Sequence, residues 1–133
     1  MTDAELLEAF ETAALPPGAF HHRDHVRAAW LLLRREVPAA AMVRFATALR
    51  RFARKAGKPE LYHETVTWAY LLLIHERMAR GPESDTFAAF AARNGDLFSW
   101  RPSVLDRYYR PETLDSELAR RVFLLPDRLE PAT

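Results

Sequence analysis

His21-His22-Arg23-Asp24-His25-Val26-Arg27-Ala28-Ala29-Trp30-Leu31-Leu32-Leu33 is the stretch on which the fold turns. His22, His25, Ala29 and Leu32 recur at intervals of three and four, the period that places side chains on one face of an α-helix. The stripe is apolar apart from its imidazoles. It therefore predicts a core-facing helix from about residue 22 to 36, with His25 as a buried imidazole. Crowding imidazoles beside a carboxylate costs desolvation and, on protonation, mutual repulsion. A bound metal ion or a proton-transfer role would offset that cost.

The same period reads outward in both directions. Thr2-Asp3-Ala4-Glu5 is a capping box opening a first helix through Leu6, Leu7 and Phe10, which ends before Pro16-Pro17-Gly18. Met42, Phe45, Leu49 and Phe52 mark a third helix over 39–56, stopped by Gly57. Pro59 suits the first position of a fourth, running to Arg80; it is apolar nearly all round and is expected at the centre. Ser84 or Asp85 opens a fifth, through Ala92, closed by Asn94-Gly95. Shorter pieces follow at 96–100, 102–109 and 114–125, and 126–133 reads as a frayed tail. Val122-Phe123-Leu124-Leu125 is strand-like but too short to change the class. The expectation is an all-α fold, one compact helical bundle of about five main helices with short C-terminal helical pieces, spanning 1–133 as a single domain.

Composition narrows the function classes. A chain of 133 residues with 49% hydrophobic and 28% charged residues is that of a soluble globular domain large enough for a real core. Nineteen basic against eighteen acidic residues leave a formal charge of +1, which argues against nucleic acid or an anionic membrane as partner. The absence of cysteine excludes disulfides, thiolate metal sites and thiol catalysis, and fits a cytoplasmic location. The acidic start lacks a signal core, and the apolar run Trp68–Ile74 is too short to span a bilayer. There is no P-loop, dinucleotide glycine pattern, nucleophile elbow or His-Glu-x-x-His motif.

Two polar clusters carry the candidate chemistry. In the first, His21, His22 and His25 are neighbours on a helix, and Asp24 can orient an imidazole, cap the helix or pair with Arg27. In the second, Glu60-Leu61-Tyr62-His63-Glu64, the spacing Glu60-x-x-His63 is that of the carboxylate–imidazole pairs in di-iron bundles. Thr67 lies one turn beyond His63. If the second and fourth helices run parallel, the clusters meet; if antiparallel, His75 faces the first cluster instead.

The expected metal ligands are thus His21, His22, His25, Glu60 and His63, with Asp24, Glu64 and Tyr109 in catalytic roles. Nitrogen and oxygen donors of this kind suit a divalent ion such as Fe, Zn or Mn. Such a site would activate water or dioxygen against a small-molecule substrate. Arg44, Arg50, Arg51, Arg54, Lys55 and Lys58 give the third helix a basic outer side. Trp100-Arg101-Pro102 and Tyr108-Tyr109-Arg110-Pro111 put aromatics and arginines on loops that can line a pocket.

The pattern Phe20-His21-His22-Arg23-Asp24-His25-Val26 with Tyr62-His63-Glu64-Thr65-Val66-Thr67 resembles small, single-domain, all-helical bacterial proteins. That resemblance implies the fold and no particular activity. A weaker one is to HD-type metal-dependent phosphohydrolases, also all-helical. Residues 20–26 look like their first-histidine region, and Leu71-Leu72-Leu73-Ile74-His75-Glu76 looks like the apolar run ending in their His-Asp pair, with Glu76 in place of Asp. This likeness would make His75 and Glu76 ligands instead of His63. The expected function is a small metal-binding enzyme. The alternatives are a phosphohydrolase of that type or a non-catalytic helical binding module. In the module reading the basic third helix binds a partner, and a homodimer is a further expected association.

Overall fold

Capping chemistry sets where the helices begin. The computed structural model describes residues 1–128. Helix α1 (Asp3–Glu11) opens on the capping box: the Thr2 hydroxyl accepts from the Glu5 amide, and the Glu5 carboxylate accepts from the Thr2 amide. It stops well short of Pro16, because Ala13 takes a left-handed conformation at φ 54° and the Ala14 amide reaches the Ala9 carbonyl. Asp24 accepts from the His21 amide at 3.0 Å and so caps α2 (His22–Arg35). Pro38 starts α3 (Pro38–Lys55), which Gly57, at φ 74°, closes by the same left-handed device.

The fourth helix departs from expectation. Pro59–Leu61 is a separate 3-10 turn, the chain extends through Tyr62 and His63, and α4 (Glu64–Arg80) begins only there. His63 is its N-cap, with ring Nδ1 accepting from the Val66 amide at 3.1 Å. Glu60 and His63 therefore do not share a helix face, and the i, i+3 spacing loses its meaning. Thr86 caps α5 (Phe87–Arg93). The expected pieces beyond it are 3-10 turns at Gly95–Phe98 and Val104–Arg107, and the expected 114–125 helix is two short ones, α6 (Pro111–Leu114) and α7 (Glu117–Arg121), split at the Ser116 cap. Among the described residues there is no strand, and the protein is all-α.

Helix α2 occupies the centre that the sequence pattern assigned to the fourth helix. Val26 and every residue from Ala28 to Leu33 are buried, and α2 packs on α1, α3 and α4. On α4, Leu72 remains 45% exposed. A short connection turns α2 antiparallel to α3. It runs parallel to α4: His22 at its start meets Tyr70 of α4, while Trp30 near its end meets Phe87 and Phe90 of α5. The openings of α2 and α4 thus lie toward the same end of the molecule.

The C-terminal segment is tied down as far as it is described. The amides of Asp127 and Arg128 reach the Tyr108 carbonyl, and the Asp127 carboxylate takes the Arg110 amide and the Thr113 hydroxyl. Of the segment expected to fray, Asp127 and Arg128 make these bonds, and 129–133 lie outside the described residues.

Candidate functional site

His25 projects from the first turns of α2 into an aromatic cage. Its ring centroid lies 4.7 Å from Phe20, 6.0 Å from Phe10 and 6.1 Å from Phe52. Its Nε2 is buried and has no hydrogen-bond partner. Burial, then the neighbouring His22, pushes its pKa down to about 4, against a smaller opposing pull from Asp24. Near neutrality His25 is uncharged.

His22, one turn back, lies over a different surface. Its Nε2 is 2.8 Å from the Leu97 carbonyl, so that nitrogen carries the proton and donates. Its ring packs edge-on to Tyr70 at 5.2 Å and against Trp100 at 5.0 Å. Burial lowers its pKa, and the Leu97 bond partly restores it. His21 is outside this arrangement, with its side chain 75% exposed and 3.7 Å from the Asp24 carboxylate that caps the helix.

The second cluster is taken up by the fold. His63 sits between two backbone groups: Nδ1 accepts from Val66, and Nε2 donates to the Leu114 carbonyl at 2.7 Å. Both ring nitrogens are occupied, so binding an ion there would require breaking a helix cap or a tertiary bond. Glu64 accepts from the Tyr62 hydroxyl at 2.6 Å, from the Trp68 indole at 3.0 Å and from Arg50 at 3.0 and 3.1 Å. Burial and the bond to Glu64 push the Tyr62 phenol well up. Glu60 is exposed, and its backbone carbonyl receives Arg120.

Tyr109 is 1% exposed and donates to the Leu124 carbonyl at 2.7 Å, a buried structural bond. On α4, His75 is half-buried and Glu76 pairs with Arg80 on the outside. The basic side of α3 is also drawn into the structure. Arg44 bridges Glu11 and Glu36, Arg51 reaches the Glu11 carbonyl, and Lys55 donates to the Ala13 carbonyl.

The structure therefore sets His22 and His25 one turn apart at the start of α2 but in different surroundings, His22 against Leu97, Tyr70 and Trp100 and His25 in the phenylalanine cage. It does not gather His21, Glu60 and His63 with them: among the described residues, no three histidine or carboxylate side chains converge as a metal site requires. Tyr70, Trp100 and Ser103 join His22 instead. Tyr70 stacks on Trp100 at 24° and its hydroxyl is 2.9 Å from Ser103 Oγ. Tyr70 follows Thr67 by three on α4, so the helical period could have placed it toward α2; nothing local could have brought residues 97–103 beneath His22. No family model, curated protein or solved structure matches the chain. Among the described residues, no helix is long and apolar enough to cross a membrane.

Proposed function

We propose that this chain is a non-catalytic helical binding module whose histidine and carboxylate clusters hold the fold. The observation that carries this reading is His63, clamped between the Val66 amide and the Leu114 carbonyl. It joins the start of α4 to the C-terminal segment and leaves no free lone pair. Glu64, Tyr109 and Asp24 are engaged in the same way by bonds internal to the chain.

A second reading, a small metal-binding enzyme acting on a small molecule through activated water or dioxygen, is favoured by one specific feature, the partnerless Nε2 of His25 beside His22. The Leu97 carbonyl that holds His22 Nε2 is the kind of orienting bond that metal-bound imidazoles use, and it would leave Nδ1 to ligate. Two imidazoles fall short of the three protein ligands usual at a catalytic zinc, so this donor set does not fit a resident ion. Nor does His25 suit general base catalysis. A base works best with a pKa near the operating pH, and about 4 is far below neutrality.

Elemental analysis of tag-free protein purified without added metal, followed by titration with Zn(II) and Fe(II), separates the readings. The module reading expects no stoichiometric uptake, and His63→Ala losing stability. Near-stoichiometric Fe, Zn or Mn that disappears in the His25→Ala/His63→Ala double variant overturns it.

A further inference from the structure

The half-exposed Trp100 indole stands out among the surface groups of the chain. The residue is 52% exposed, yet its ring is contacted by His22 at 5.0 Å and by Tyr70, stacked at 6.3 Å. Both supports are themselves anchored, His22 to the Leu97 carbonyl and Tyr70 to Ser103. An aromatic face held this way loses little freedom when a planar ring stacks on it.

A cation adjoins it in the chain. Arg101 follows Trp100 directly, is exposed, and among the described residues makes no ion pair or hydrogen bond. Arg23, next to His22, has its guanidinium 5.0 Å from the Phe98 ring and 5.4 Å from Phe87, with no carboxylate paired to it. Two of the nearby acids are engaged. Asp24 caps α2, and Asp96 is held by Arg77 and Arg107. Asp106, exposed, acts with Asp96 on the Tyr70 hydroxyl.

We infer that Trp100, braced by His22 and Tyr70 and followed by the exposed Arg101, binds a planar aromatic ligand bearing an anionic group, of the nucleoside monophosphate kind. The ring stacks on the indole and the anion meets the Arg101 guanidinium, whose fork geometry suits phosphate and carboxylate oxygens. The inference rests on the binding-module reading and supplies its ligand class.

Calorimetric titration of the full chain with adenosine monophosphate, adenosine and ribose 5-phosphate tests it. The nucleotide should bind saturably and more tightly than either half of it alone. Trp100→Leu should weaken it about tenfold, in line with the loss of one base–aromatic stack. Arg101→Gln should weaken the nucleotide several-fold while leaving adenosine unchanged. Circular dichroism of both variants, whose altered side chains are exposed, checks that the fold is retained. No saturable binding, equal affinity for adenosine and its monophosphate, or indifference to Trp100→Leu each overturns the inference. Those outcomes leave the module reading standing, whereas metal uptake overturns that reading without bearing on this titration.

Discussion

Acid should destabilise this protein through His25, and the size of the effect follows from its cage. Packed among Phe10, Phe20 and Phe52, the ring has a pKa of about 4, against about 6.5 in an unfolded chain. Between those values the unfolded state binds a proton that the folded state does not, so stability rises with pH across this window. The contribution is fully present above about pH 6.5 and is lost as the pH falls toward 4. Linkage puts the loss at about 1.4 kcal/mol by pH 5.5 and about 3 kcal/mol by pH 4, relative to neutrality. Against a typical total of about 5–15 kcal/mol this is large.

Other carboxylates titrate over part of the same range, so the informative quantity is the difference between two proteins. His25→Leu keeps an apolar side chain in the cage, removes the partnerless nitrogen and cannot be protonated. Urea denaturation followed by far-ultraviolet circular dichroism, from about pH 7.5 down to about pH 4, should show the variant gaining on the wild type by about 3 kcal/mol. Parallel stability curves for the two proteins across that range would refute the argument, because they would mean that His25 titrates alike folded and unfolded.

Two further substitutions probe how α4 holds the segments that follow it. Thr65 is fully buried, with its hydroxyl donating to the Val122 carbonyl at 2.7 Å and accepting from the Leu124 amide at 3.1 Å; Thr65→Val should cost about 2 kcal/mol. It should also speed hydrogen exchange at Leu124, and an unchanged exchange rate would show that the segment is held by other contacts. Asp96→Asn removes the paired bonds to Arg77 and should lower stability by about 1–2 kcal/mol in thermal melts. The Arg77 bonds hold the Asp96 carboxyl below its usual range, so this contribution is present above the unfolded carboxylate pKa and is lost only as the pH falls through the lower folded value. A variant as stable as the wild type near neutrality would exclude that role.

Local sequence determined the all-α class, the bounds of α2 and α3 to within a residue or so, the capping box of α1 and the glycine stop after α3, because these depend on residues within one turn of each other. At α5, by contrast, Thr86 and not Ser84 or Asp85 is the cap. The stripe from His22 to Leu32 correctly placed His25 toward the core, since the 3.6-residue period needs no tertiary information. It did not reveal that the neighbours of His25 would be three phenylalanines from α1, α3 and the loop before α2. Glu60-x-x-His63 misled for a related reason. A capped helix start at Glu64 is more favourable than a continuous helix from Pro59, because the His63 ring satisfies a free α4 amide while its other nitrogen bonds Leu114. That second bond joins residues far apart in the chain, which periodicity cannot foresee. The pairing of His22 with Leu97, Tyr70 and Trp100 is equally non-local. The side chain types were legible as polar or aromatic, but whether each met a backbone carbonyl, a carboxylate or solvent was decided by how the helices and the 95–128 segment packed, because burial and hydrogen-bond partners are properties of the assembled core.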